Sequence, residues 1–269
     1  MARADIPERI TLPGQDFQRV VDVAIGAEHT LLLTENGDVF ACGTNEGGEI
    51  GLGETVRSAS EPTQVEGFDG TVTTISSGHS HSLFTTTEGI YFTGSNEFGQ
   101  LCGDTDDENV FVPQELSIEQ RVAIENVVSF DATAYSSYIL YADGSVNSCG
   151  KNDFGQLADG TNENSLLSTV RSLDGVTRLV GAGPSSQSIF FVTEENTMYA
   201  AGLNDRGQLG VGDKDNRNLP TTIGFDQVVV VALISGASDH TLLLGVPSGT
   251  YDPTGSPSYN PTVAETPEP

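Results

Sequence analysis

An all-β, propeller-type chain is predicted by three observations. A unit of about 51 to 56 residues recurs four times, the composition is rich in glycine with few runs of helix formers, and a hairpin signal stands at the same place in each repeat. The recurrence is read from four windows: GTNEGGEIG from Gly43, GSNEFGQLC from Gly94, GKNDFGQLA from Gly150 and GLNDRGQLG from Gly202. Their leading glycines are 51, 56 and 52 residues apart. Upstream of each lies a second shared stretch: HTLLLTENGDVFAC from His29, HSLFTTTEGIYFT from His81, SSYILYADGSVNSC from Ser136 and SIFFVTEENTMYAA from Ser188. A third follows each window, beginning at Pro62, Pro113 and Pro220, with Leu167 in place of the proline in the third copy.

Each unit reads as about four short strands. In the first these are Val20–Ile25, His29–Thr34, Val39–Cys42 and Pro62–Val65. Asn36-Gly37-Asp38 between the second and third is a tight-turn signal, because glycine accepts positive φ. Glu88-Gly89, Asp143-Gly144 and Asn196 stand at the same place in the other copies. A four-stranded unit cannot bury both of its faces alone, so stacked neighbours must supply the core. In the window, the glycines allow sharp turns, the asparagine can close its loop, and Gln100, Gln156 and Gln208 can pin loop backbone. Ile50, Leu101, Leu157 and Leu209 are expected to point into the core between blades. This is a structural signature rather than a catalytic one.

On these residues the chain resembles the regulator of chromosome condensation repeat family. The resemblance is carried by Asn96-Glu97-Phe98-Gly99-Gln100-Leu101, Asn152-Asp153-Phe154-Gly155-Gln156-Leu157 and Asn204-Asp205-Arg206-Gly207-Gln208-Leu209-Gly210. Gly26-Ala27-Glu28-His29-Thr30 and Gly78-His79-Ser80-His81-Ser82 match its second hallmark, and the coverage runs from about residue 6 to 246. The family's aromatic before the leading glycine is replaced by Cys42, Thr93, Cys149 and Ala201. The resemblance implies a propeller, typically of seven blades. It also implies two functions: a protein-binding scaffold or, as in the founding member, guanine-nucleotide exchange on a small GTPase. The founder's β-wedge insertion has no counterpart here, since the largest excess is five residues across Ser117–Asn126.

The expected organisation is a propeller domain over 1–246, with repeats at about 20–68, 72–119, 127–173 and 177–225. A fifth blade is composed of strands at 228–246 and a strand at 6–12, so the chain is a short ring, an open arc or a fragment of a larger propeller. Residues 247–269 hold six of the twelve prolines among Ser and Thr and are expected to be a disordered tail.

Charge excludes several functions. Lys and Arg number 11 against 38 Asp and Glu, a formal net charge of −27, and the cations are scattered. Nucleic acid and anionic membranes are therefore not expected partners, whereas a basic protein surface is. Cys42, Cys102 and Cys149 are odd in number and lack C-x-x-C spacing, which argues against a disulfide framework or a zinc site and for buried thiols. His29, His81 and His240 occupy equivalent places on different blades and are read as structural. Asp104, Asp106, Glu108 and Glu115 fall at calcium-loop offsets, but Asn109 stands where glycine is required, so the segment reads as an acidic blade loop. No nucleotide-binding, zinc-protease or serine-hydrolase motif is present, so neither catalysis nor a cofactor is expected. The first sixteen residues lack an apolar signal region, giving a cytoplasmic expectation; a cell-surface or secreted location stays open if the native start lies upstream.

The candidate partner-binding residues are those of the window loops and the loops that follow. They are Glu46, Glu97, Asp153 and Asp205, then Asp104, Asp106, Asp107, Asp213 and Asp215, with Phe98 and Phe154 as apolar anchors. Repeat symmetry places them on one rim.

Overall fold

The computed structural model describes residues 12, 19–103, 105, 107–116, 126–181 and 183–224, together with the backbone of two strands at 228–234 and 242–247. The expected strand at 6–12 and the tail beyond Pro247 lie outside the described residues. Four antiparallel sheets of four strands follow one another. The first holds β1 (Val20–Ile25), β2 (His29–Thr34), β3 (Val39–Thr44) and β4 (Ser58–Val65); the second holds β5 (Val72–Ser77), β6 (His81–Thr86), β7 (Ile90–Ser95) and β8 (Asn109–Glu115). The third holds β9 (Val127–Ala132), β10 (Ser136–Tyr141), β11 (Val146–Gly150) and β12 (Ser165–Thr169); the fourth holds β13 (Val176–Gly181), β14 (Ser188–Thr193), β15 (Met198–Gly202) and β16 (Arg217–Thr222). A two-stranded sheet, β17 (Val228–Ile234) with β18 (Leu242–Pro247), closes the series. The first strands of successive sheets are neighbours, so β1, β5, β9 and β13 are innermost and β4, β8, β12 and β16 outermost. Pro62, Pro113 and Pro220 all sit on those outer strands, where a missing N–H costs no ladder bond.

The core lies between sheets. Successive side chains of a strand point to opposite faces, so each second strand feeds two junctions. Phe84 packs with Leu31, Leu33 and Ile50 of the first sheet, while its neighbour Leu83 packs with Ile139 and Cys149 of the third. Tyr138 and Leu140 likewise face Ile189 and Phe191 of the fourth sheet, with Ile139 and Tyr141 facing back. This two-sided burial explains the unbroken apolar runs LLL, YILY and IFFV. Ile50, Leu101, Leu157 and Leu209 are each at most 1% exposed.

The leading glycine is required by geometry. Gly43, Gly94, Gly150 and Gly202 have φ of 113°, 103°, 103° and 108°, and each marks a register shift against the fourth strand. A Cβ there would run into the carbonyl oxygen of Glu28, Ser80, Tyr135 or Gln187. Of the hairpin positions, Gly37, Gly144 and Asn196 have positive φ, at 83°, 79° and 57°. Gly89 does not; its turn is held by the Thr86 hydroxyl, which accepts from the N–H of Glu88 and of Gly89 at 3.1 and 2.8 Å.

Polar contacts tie sheet to sheet. The loops between first and second strands form a backbone chain: Ala27 N donates to His79 O, His79 N to Ala134 O and Ala134 N to Ser186 O, at 3.2, 2.9 and 2.8 Å. Asp131 joins three inner strands, accepting from Ser76 Oγ at 3.1 Å, Ala132 N at 2.8 Å and Gly181 N at 2.7 Å. Burial pushes its carboxyl above the ordinary range despite those bonds.

His29 and His81 bridge blades. Ser82 donates to the Glu49 carbonyl at 2.6 Å and Ser137 to the Gln100 carbonyl at 2.7 Å, so each serine has spent its proton. His29 Nε2, 3.0 Å from Ser82 Oγ, and His81 Nε2, 2.9 Å from Ser137 Oγ, must therefore donate. Both rings are neutral, and desolvation, with a smaller contribution from neighbouring histidines, holds His29 down to about 4 and His81 to about 3. His240 lies outside the described residues.

Below the ordinary value of 6.5 the unfolded chain binds protons at these two positions that the folded chain refuses. Stability is expected to be full above pH 6.5 and to fall as the pH drops toward 4, by as much as about 1.4 kcal/mol per pH unit for each histidine. Asp131 acts in the opposite sense, so the informative comparison is between variants. The denaturant midpoint of His81→Gln should depend less on pH between 6.5 and 4 than that of the wild type, whereas parallel curves would remove His81 as the cause.

Candidate functional site

The third strand of every sheet ends at the same side, so the four windows leave the sheets at equivalent places. Their shape is set by asparagine. Asn45, Asn96, Asn152 and Asn204 each accept, through Oδ1, the N–H five residues on, at 2.9 to 3.1 Å. Their Nδ2 groups donate to two carbonyls of the descending loop: Gly53 and Val56, Thr105 and Asp107, Thr161 and Glu163, Asp213 and Asp215. The glutamine adds a shorter staple, its Oε1 accepting from Phe98, Phe154 or Arg206 N at 2.8, 3.0 and 2.9 Å; Glu49 does the same for Gly47 in the first copy. The first three windows then reach over the next sheet, where a Cβ on Gly48, Gly99 or Gly155 would meet Val110, Leu166 or Asn218 of the outer strand.

Glu46, Glu97, Asp153 and Asp205 are all exposed, as are Asp107, Asp213 and Asp215; Asp104 and Asp106 lie outside the described residues. These acids are not equivalent. Asp153 pairs with Lys151 at 3.2 Å, Asp205 meets Arg206 at 3.8 Å, and Asp213 meets Arg217 at 2.5 Å. The Asp213 carboxyl is held below its ordinary value by the N–H of Asp215 and then by Arg217. Among the described residues, Glu46, Glu97 and Glu108 carry no side-chain hydrogen bond or ion pair. Of the four window acids, Glu46 and Glu97 are therefore the two without a local cation. Glu115, the last of the calcium-offset residues, is in the β8 ladder opposite Tyr91.

Phe98 and Phe154 are half-buried. Phe98 stands edge-on to Tyr135 at 5.5 Å, and Lys151 Nζ lies 4.8 Å from its ring and 5.4 Å from that of Tyr135. His79 extends the cluster, 5.1 Å from Tyr135. Tyr135 was not a sequence candidate because it comes from the neighbouring sheet. Lys151 had a signal, as one of only two lysines in the chain.

The cysteine expectation is corrected. Cys102 and Cys149 form a disulfide across the second and third sheets, and only Cys42 is free, half-buried. The residue closing each window (Gly51, Cys102, Ala158 or Gly210) has φ of 67°, 58°, 56° or 69°, and in the first three it lies against the next sheet. There it meets the residue before the next leading glycine, as Gly51 meets Thr93. The pair joins two different repeat positions, so comparing equivalent positions could not find it.

The family model for the regulator of chromosome condensation (RCC1) repeat matches residues 36–85 and 195–244, and a second model of the repeat matches 20–49. The ultraviolet-B receptor UVR8 of Arabidopsis thaliana is 28% identical over 240 residues, covering 86% of this chain and 52% of its own. This chain belongs to the RCC1 repeat family. Among other RCC1-repeat proteins, the probable E3 ubiquitin-protein ligase HERC4 of Mus musculus is 30% identical over 76% of this chain, but over only 19% of its own length. Human WBSCR16 superposes with a TM-score of 0.75 at 26% identity, covering 86% of this chain and 59% of that one. A chain of the crystal structure of Kap60 bound to yeast RCC1 (Prp20) superposes at 0.74 and 22% identity, over 88% and 56%, which speaks for the fold alone. The chain thus spans about half the length of UVR8 and about a fifth of HERC4.

Opening the disulfide should loosen the second junction. With a separation of 47 residues, replacing Cys102 and Cys149 by serine is expected to cost about 2 to 4 kcal/mol. The denaturant midpoint measured with and without reductant checks this: the wild type should shift and the double variant should not. A wild type indifferent to reductant would show that the bridge contributes nothing.

Proposed function

We propose that this chain is a non-catalytic interaction module, an RCC1-type propeller that offers its window-loop rim to a basic protein partner. The observation that carries this is the exposed acid at the fourth place of every window, Glu46, Glu97, Asp153 and Asp205, in a chain of net charge −27. Local cations compensate two of the four, so Glu46 and Glu97 dominate the attraction. A rim of one sign steers a partner of the other and discriminates against anionic ones. A receptor and a ubiquitin ligase share this kind of unit, which supports a surface for other proteins as the common property; neither activity is assigned here.

Exchange on a small GTPase is the alternative, and it is separable by experiment. A partner captured on the full chain is followed by association-rate measurements, and any GTPase recovered is assayed for nucleotide release. The association rate should fall by about tenfold or more as ionic strength rises from roughly 0.01 to 0.15 M. The Glu46→Gln/Glu97→Gln double variant should lower the low-salt rate and flatten that dependence. A rate indifferent to salt would assign the acidity to solubility, and accelerated nucleotide release would move the chain to the alternative.

A further inference from the structure

The second junction differs from its neighbours. Between the second window and β12 runs an open groove of about 330 Å³, walled by Glu97, Phe98, Asp107 and Glu108 on one side and Leu166 on the other. Glu97 and Glu108 are exposed and lack a side-chain partner among the described residues. Leu166 is 56% exposed, an apolar strip facing carboxylates. At the first junction the Phe98 position is Gly47, so the aromatic is absent. At the third, Asn218 of the outer strand stands where Leu166 does, and the window acid Asp153 is already paired with Lys151. The aromatic wall, the apolar strip and uncompensated acids coincide only at the second junction among the described residues.

We propose that this groove holds an arginine side chain from an extended segment of the basic partner, an inference that rests on the rim reading above. Charge complementarity commits the site to a cation. The guanidinium fork suits carboxylates, and its aliphatic stem suits Leu166 and the Phe98 ring. The volume admits a long side chain with its backbone rather than a packed helix. The walls are pre-organised. Asn96 Nδ2 holds the acidic loop through Thr105 O at 3.3 Å and Asp107 O at 3.4 Å, and the Cys102–Cys149 bridge anchors its start. Lys151 and Tyr135 fix the Phe98 ring. Less freedom is then lost on binding.

The test uses the full chain, nitrogen-15 labelled, titrated with acetyl-Gly-Arg-Gly-amide and with its citrulline counterpart, a neutral isostere. Saturable amide shifts should centre on Phe98, Gly99 and Leu166, and binding of the citrulline peptide should be about tenfold weaker. The Glu97→Gln/Glu108→Gln double variant should abolish them. Leu166→Ser should weaken them several-fold while the rest of the spectrum stays dispersed, which separates lost binding from lost fold. Equal response to both peptides, or no response, overturns the groove. Shifts spread evenly over Glu46, Asp205 and Asp215 also overturn it, but leave the acidic rim standing, because that rim is tested by the salt dependence of the protein partner.

Discussion

The structure depends on one buried amide. Each window asparagine satisfies an N–H at the window's end and two carbonyls of the returning loop. It thereby fixes a segment of about a dozen residues that has no regular secondary structure. Asn45, Asn152 and Asn204 are fully buried, where an unmade hydrogen bond is costly. With the loop fixed, the following Leu or Ile is delivered into the junction, and the window lies over the next sheet's outer strand. A blade thus adheres to its neighbour through its own loop as well as through its faces. Aspartate, of nearly the same shape, could not replace it, because two donors would become acceptors facing carbonyl oxygens.

A second constraint is met by different residues at different junctions. The carbonyl at the glutamine position of the first three windows points into the junction and needs a donor. Ser82 supplies it for Glu49, Ser137 for Gln100 and Tyr138, at 2.9 Å, for Gln156. Where serine serves, a histidine from the preceding sheet supports it. Where the sequence changes to Ser136 and Ser188, the shorter side chains bond within their own sheets, to Lys151 O and Leu203 O. The two remaining ring nitrogens, His29 Nδ1 and His81 Nδ1, have no partner and are tolerated only because the rings are neutral.

Much of the fold was legible because the repeat places the same physical demand four times. The first two strands of the first repeat fall where the apolar pattern puts them. The third runs two residues further, to Thr44, because the leading glycine bulges without leaving the ladder, and Gly43 still pairs with Ala59. The fourth begins at Ser58 rather than Pro62 for the same reason. The candidate site was legible only as far as repeat position carries. The equivalent, exposed places of Glu46 and Glu97 followed from the window alone. The neutralisation of Asp213 by Arg217, the groove wall at Leu166 and the Cys102–Cys149 bridge were not, since each depends on which side chains two segments or two sheets bring together. Periodicity predicts what is equivalent; it does not predict what touches.

The most direct measurement is amide hydrogen exchange on Asn152→Asp, read alongside the denaturant midpoint. If the asparagine is the constraint described, stability should fall by about 3 kcal/mol or more. Protection should be lost first across residues 152–163 and at the junction of the third and fourth sheets, with the first junction unaffected. A variant with the wild-type midpoint and wild-type protection in that loop would contradict the account, because the windows would then be held by something other than their asparagine.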